Sequence, residues 1–214
     1  MPRRPRTDGS SSPDTSTMLR AQHAEATRRA VLAAARSLFG RKGYAQTSVD
    51  EIADAARVTK GAVYHHFASK EALFRAVYAE VEAETEARAT GAGDPGGAPV
   101  DQIIARMNAY LDAALDEETR RIGLIDGPVV LGQEILDAAD RQRGHVDLRS
   151  FIAASIARGQ IVDLDPDLLA HLIRGTFGLS GMLIAHVGDP EKTRQTLGQA
   201  LHAMLQGLAA GKER

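Results

Sequence analysis

Between Leu38 and Leu73 the chain carries so many start and stop signals for helices that only short helices and tight turns fit between them. Gly40 and Gly43 are expected to end a first helix, spanning residues 19–39, because glycine closes a helix at no Cβ cost. Val31, Ala35, Leu38 and Phe39 fall on one face of that helix. Thr47 and Ser48 then offer an N-cap, with Asp50 and Glu51 three residues on in capping-box register. A short helix follows with Val49, Ile52, Ala53 and Ala56 inward, and it stops near Arg57-Val58. Thr59 caps another over residues 60–67. Ser69 caps a longer one whose stripe is Ala72, Leu73, Ala76, Val77 and Tyr78.

Two short helices joined by a three- or four-residue turn have helix-turn-helix spacing, in which the second helix enters the major groove of DNA. A helical wheel begun at Lys60 turns Val63 and Phe67 to the core. It leaves Gly61, Ala62 and His65 outward, flanked by Lys60 and Tyr64. A glycine in the first turn costs roughly 1 kcal/mol against alanine, and its benefit would be close approach of the backbone to DNA. Lys60 and the Tyr64 hydroxyl can meet phosphates, and His65 a base edge. Thr47 and Ser48 start a helix whose N-terminus can hold a phosphate, and Lys70 lies just past the next cap. The set of candidate DNA contacts is Thr47, Ser48, Thr59, Lys60, Gly61, Ala62, Tyr64, His65, His66 and Lys70. The opposing reading makes Tyr64, His65 and His66 a solvated face.

Charge supports the first reading. Residues 1–70 hold 12 Lys/Arg against 6 Asp/Glu, whereas the remaining 14 Lys/Arg face 22 Asp/Glu. A basic N-terminal third on an acidic body suggests that one end meets a polyanion.

The stretch LFGRKGYAQTSVDEIADAARVTKGAVYHHFASKEALFRAVY, within Val31 to Tyr78, resembles the DNA-binding domain of the TetR/AcrR (tetracycline-repressor-like) transcriptional regulators. The likeness rests on Leu38-Phe39, Gly43-Tyr44, Thr47-Ser48, Ile52-Ala53, Val58-Thr59, and Gly61 through Glu71, without a break in spacing. It implies an all-helical homodimer of about nine helices, with double-stranded operator DNA bound by the first three. It also implies a small-molecule effector pocket in the rest, and repression relieved by the effector. The alternative is an effector-independent DNA-binding dimer controlled by a protein partner or by abundance.

The rest of the chain also reads as helical: residues 100–115, 122–125, 129–139, 146–157, 166–187 and 191–208. The expected organisation is a disordered basic tail (1–18), a helix-turn-helix domain (19–68), a connecting helix (69–90), a loop (91–99), and an effector-binding and dimerisation domain (100–214). Glycines 175, 178 and 181 recur every third residue, and small residues let another helix approach closely. Packing within one subunit explains them as well. The family's habit of dimerising through its last two helices favours a dimer interface of Gly175, Gly178, Gly181, Leu197, Leu201 and Met204. Polar groups inside apolar stretches mark candidate ligand contacts: Met107, Tyr110, Asp126, Arg174 and Phe177, with Met182 beside them. A buried Arg174 needs a carboxylate, which Asp126 or Glu134 could supply. Alternatively, Asp126 only terminates a helix and Arg174 bridges two subunits.

Other function classes lack their residues. The chain has no cysteine, which removes thiolate chemistry. Residues 91–97 are Gly-rich but lack the Gly-Lys-Ser/Thr of a phosphate loop, and there is no His-Glu-x-x-His or Gly-x-Ser-x-Gly. The adjacent His65 and His66 diverge on a helix. No enzyme activity, cofactor or metal is expected. Past the tail, the longest uncharged run is residues 175–188, shorter than the roughly 20 residues of a membrane span. No apolar segment follows Arg3, Arg4 and Arg6, so a cytoplasmic protein is expected.

Overall fold

The computed structural model describes residues 15–132 and 144–210. Its first helix, α1 (Thr15–Lys42), outruns the expected span at both ends. Gly43 does end it, with φ +81, but Gly40 lies inside the helix. A Cβ there would come within 2.9 Å of the Glu118 side chain, so Gly40 serves close approach rather than termination.

Three helices follow as the caps predict. α2 (Val49–Ala56) has Ser48 as its N-cap, with both halves of the capping box formed by Glu51. It ends at Arg57 in the left-handed conformation, φ 57, where the Val58 and Arg57 amides donate to the Ala53 and Asp54 carbonyls. α3 (Lys60–His66) is capped by Thr59, whose hydroxyl accepts from the Ala62 amide at 3.1 Å. α4 (Lys70–Thr90) is capped by Ser69. Val31, Phe39, Ile52, Val63, Phe67 and Phe74 form a first core with other side chains of these helices.

α5 (Pro99–Ala113) leads into α6, which changes winding twice. Glu117–Thr119 is α-helical, Arg120–Asp126 is π-helical and Gly127–Leu131 is α-helical again. The Gly127 amide bonds the Ile122 carbonyl five residues back. Pro128 supplies a cause: a proline ring clashes with the carbonyl four residues before it, and a wider turn moves that carbonyl aside. Gly127 has no alternative, since a Cβ would lie 2.8 Å from the Tyr78 ring.

α7 (Gly144–Ala157), α8 (Pro166–His186) and α9 (Pro190–Gln206) complete nine helices among the described residues. One antiparallel bridge, Ile161 with Ala209, ties the chain beyond α9 to the segment before α8. A second core draws on α5, α7, α8 and α9, including Ile103, Met107, Leu111, Ile152, Ile161 and Ile184. Ile122 and Leu131 of α6 join the first core instead, so α6 braces the N-terminal helices from the other half of the chain. The basic tail before Thr15, Glu134 and most of the expected helix 129–139 lie outside the described residues.

Candidate nucleic-acid interface

The turn between α2 and α3 fixes the attitude of α3, and its burial pattern fixes which face looks out. Val63 and Phe67 are sunk into the first core, while Lys60, Gly61, Tyr64 and His65 are exposed and Ala62 and His66 half-buried. The burial follows the wheel at Gly61, Val63, His65 and Phe67, whereas Ala62, which the wheel turns outward, is half-buried. A Cβ on Gly61 would meet only the Thr59 hydroxyl, at 3.8 Å. Nothing within the chain therefore requires glycine at that position.

The candidate contacts divide once their partners are seen. Lys60 is exposed, and its Nζ meets Asp50 of α2 at 2.8 Å, which raises the ammonium pKa. Ser48 is exposed, but its hydroxyl and amide are engaged with Glu51. Glu51 in turn accepts from Lys42 at 2.6 Å. Thr47 is corrected by its surroundings: it is 1% exposed, and its hydroxyl donates to the Gly43 carbonyl at 2.9 Å. It locks the turn before α2 and presents nothing outward. Lys70 is half-buried with its Nζ 4.1 Å above the Tyr44 ring, and burial pushes its pKa down. The outward set is therefore Ser48, Thr59, Lys60, Gly61, Ala62, Tyr64, His65 and the edge of His66.

In the body, the five candidate ligand residues do not converge. Tyr110 and Phe177 stack with centroids 6.2 Å apart. Met107 is fully buried in the second core. Arg174 finds its carboxylate in Glu86 of α4, at 3.4 Å, rather than in Asp126. Asp126 reaches instead the head, the unit of α1 to α3 and the first half of α4, and accepts from the Tyr44 amide at 2.7 Å. A small cavity of about 10 Å³ does lie between α4, α5 and α6, bounded by Glu82, Thr85, Tyr110, Thr119 and Leu124. That is room for about one water. The Thr85 hydroxyl oxygen is buried there with no hydrogen-bond partner. Of the expected residues only Tyr110 lines this cavity. A sequence signal for Thr85 existed: it is the polar member of the row Leu73, Val77, Val81, Thr85, Ala89, spaced by four.

The glycines of α8 also divide. A Cβ on Gly175 or Gly178 would meet nothing, whereas one on Gly181 would lie 3.1 Å from Tyr110. Gly181 thus packs within the chain. Leu201 is buried in the second core and Leu197 rests on it, while Met204 is open to solvent. The exposed face of α8 carries Leu168, Leu172, Leu179 and Leu183. Beside it lies an apolar groove of about 170 Å³ between α8 and α9, lined by Leu172, Thr176, Phe177, Met204 and Leu205. α8 is also long and apolar enough to cross a membrane, with a mean hydropathy of 1.4 over 18 residues. Among the described residues no three His, Asp or Glu side chains converge to hold a metal.

Comparison with known proteins agrees with this geometry. Residues 31–77 match the family described as bacterial regulatory proteins, tetR family, and residues 100–208 match the tetracyclin repressor-like C-terminal domain. The transposon Tn10 TetC protein of Escherichia coli is 29% identical over 155 residues, covering 72% of this chain and 77% of that protein. Matches of 54 to 63 residues to other relatives cover about a quarter of their length. A TetR-family transcriptional regulator from Pectobacterium atrosepticum superposes with a TM-score of 0.80 at 33% identity, covering 90% of this chain and 98% of that one. The structure of AibR in complex with isovaleryl coenzyme A and operator DNA has a TM-score of 0.57 at 25% identity, covering 85% and 99%.

Proposed function

The chain belongs to the TetR family of bacterial regulators, a premise from which we propose that this DNA-binding transcriptional regulator is a cytoplasmic repressor acting as a homodimer on a palindromic operator. One observation carries the reading. α3 is pinned by Val63 and Phe67 and turns outward a face of Lys60, Gly61, Tyr64 and His65, with only the Thr59 hydroxyl close to the glycine. Two such helices, one per protomer, would enter successive major grooves. Lys60 exchanges Asp50 for a phosphate as it docks, and His65 meets the base edges.

The dimer forms through α8 and α9. Leu168, Leu172, Gly175, Leu179 and Met182 recur at spacings of four, three, four and three, the seam of a helix that packs against another. Met204 completes the patch from α9. The functional division runs through the loop at residues 91–99, with α4 shared between the two sides.

A small-molecule effector would widen the cavity walled by Tyr110, Thr85 and Leu124, which as it stands has room for about one water. Its arrival displaces α6, whose Asp126 holds the Tyr44 amide and so the head. A second reading, regulation by a partner or by abundance with no effector, is favoured by the cavity's size, about 10 Å³. Thermal shift against a broad metabolite set separates the two, because a ligand that binds only the folded state raises its midpoint.

The test of DNA recognition is fluorescence anisotropy at fixed salt, on DNA upstream of the protein's own gene and on scrambled DNA. Expected is a preference of about 10³-fold or more. His65→Ala should erode that ratio, and Lys60→Ala should weaken both sequences alike. No binding to either DNA at low salt overturns the proposal.

A further inference from the structure

Asp50 is held on the outside of α2 by its neighbours. Val49 and Ile52 are buried in the first core and Ser48 caps the helix, so the backbone at Asp50 is fixed and its side chain points outward. That side chain is 65% exposed, and its carboxylate accepts from the Lys60 ammonium at 2.8 Å. Glu51, the next residue, is arranged differently. One of its oxygens accepts from the Ser48 amide and the other from Lys42, so both are engaged within the chain. Among the described residues, the hydrogen-bonding partner of the Asp50 carboxylate is Lys60.

Lys60 is the first residue of α3, and the N-terminal residues of a recognition helix are the ones that meet base edges. When Lys60 moves to a phosphate, the Asp50 carboxylate stays behind at a surface that is closing on DNA. An ionised carboxylate that loses its water there needs a donor in exchange. Phosphates repel it. In the major groove, guanine offers N7 and O6, both acceptors, and thymine offers O4 and a methyl group. Adenine sets its amino donor beside the N7 acceptor. Cytosine offers its N4 amino group, from which carboxylate side chains accept. The short aspartate side chain leaves the carboxylate little freedom once the backbone of α2 is fixed, so it meets one base position rather than sweeping several.

We propose that Asp50 is a specificity-determining residue whose carboxylate, released by Lys60, accepts from the N4 amino group of a cytosine at one position in each half-site. Asp50 thereby adds a base contact from α2 to the operator reading of α3, on which this assignment rests. Any other base at that position leaves the carboxylate unpaired or facing an acceptor, so Asp50 rejects as well as selects.

The test uses the full chain and its Asp50→Ala, Asp50→Asn and Lys60→Ala variants. The probe is a duplex carrying the site that the unaltered dimer selects from random DNA. Each position of one half-site is replaced in turn by each of the other bases, and binding is read by anisotropy at fixed salt. The unaltered protein should hold one cytosine against its replacements by about 10-fold. Asp50→Ala should level that position, chiefly by raising affinity for the replaced sites, and leave the other positions as they were. Asp50→Asn should move the preference there from cytosine to adenine, whose N6 and N7 a carboxamide meets together. Lys60→Ala should weaken binding to every site and keep the cytosine. A cytosine preference that survives Asp50→Ala overturns the proposal. An equal rise in affinity for every sequence in Asp50→Ala also overturns it, because the carboxylate then only opposes phosphates. Loss of the cytosine in Lys60→Ala overturns it as well, since the ion pair then docks intact. If the unaltered protein selects no site from random DNA, the operator reading of α3 has failed and takes this assignment with it. If it selects a site in which no position responds to Asp50, that reading stands and the role of Asp50 alone falls.

Discussion

The head and the body treat their apolar side chains differently. In the head, Phe39, Tyr44 and Phe74 meet with centroids 5.1 to 5.8 Å apart, Phe74 edge-on to both neighbours. Val63 and Phe67 of the recognition helix are sealed beneath it. In the body, α8 buries Leu169, Ile173 and Ile184 on one side while Leu168, Leu172, Leu179 and Leu183 stand in solvent on the other. Leu172 is 69% exposed, and it borders an open groove. The head is finished by its own helices together with Ile122, Val130 and Leu131 of α6, whereas the body presents a face that a second copy would finish. If a second copy covers that face, as proposed, stability on that side of the molecule depends on protein concentration.

The largest effect that would break this comparison is expected from Leu172→Asp with Leu179→Asp. Carboxylates on that face cannot be desolvated unpaired, so sedimentation should show monomers. Operator affinity should fall by roughly 100-fold or more as the second half-site is lost. The unfolding midpoint should depend on concentration in the parent and be independent of it in the variant. A dimer of parental affinity would show that the stripe is not the interface. Phe74→Ala is the converse test. Truncating a fully buried ring should cost about 3–5 kcal/mol in denaturant unfolding while leaving the dimer's dissociation constant alone. A cost near that of a surface change would remove the claim that the head is sealed.

Between the two regions stands Asp126. Asp126→Ala deprives the half-buried Tyr44 amide of its acceptor and should cost about 1–3 kcal/mol. Asp126→Asn should restore most of that, and hydrogen exchange at the Tyr44 amide should follow the same order. Exchange that is equally slow in all three proteins would mean the link carries nothing.

The smallest effect concerns acid. Lys42, and then the Ser48 amide and hydroxyl, hold the Glu51 carboxyl down to about 2 from its ordinary 4.5. A carboxylate depressed in the folded state contributes stability above its unfolded pKa and loses it as pH falls. The head should therefore weaken between about pH 4.5 and 2, and Glu51→Gln should be flatter across that window. Parallel melting curves for the two proteins would refute this.

What was legible in the sequence was mostly local. Ser48, Thr59 and Ser69 cap helices with groups a few residues away, so spacing alone reveals them. The outward face of α3 follows from seven residues and a wheel. Long-range partners were not legible. From spacing Thr47 reads as a cap, yet its hydroxyl turns back to Gly43, and Gly40 reads as a terminator, yet Glu118 lies against it. Arg174 needed a carboxylate, but nothing in the order of residues pointed to Glu86, 88 positions away. The spacing of the α8 glycines carries a clue to their different surroundings. At 100° per residue, a step of three drifts by 60° each time, so Gly175 and Gly181 point some 120° apart. One faces solvent and the other faces Tyr110.

The wide turn in α6 has a genetic consequence. A π-helical segment is an α-helix holding one residue more than regular winding would place there. Removing a single residue between Arg120 and Ile125 would return the segment to ordinary pitch, bring the Pro128 ring back against the carbonyl four residues before it, and so shift Gly127 and Leu131 against α4 and the first core. The same one-codon deletion in α5 would swing Met107 and Leu111 out of the second core. Residues 120–126 are therefore a place where the winding demanded by Pro128 sets the angle at which Asp126 is offered to Tyr44.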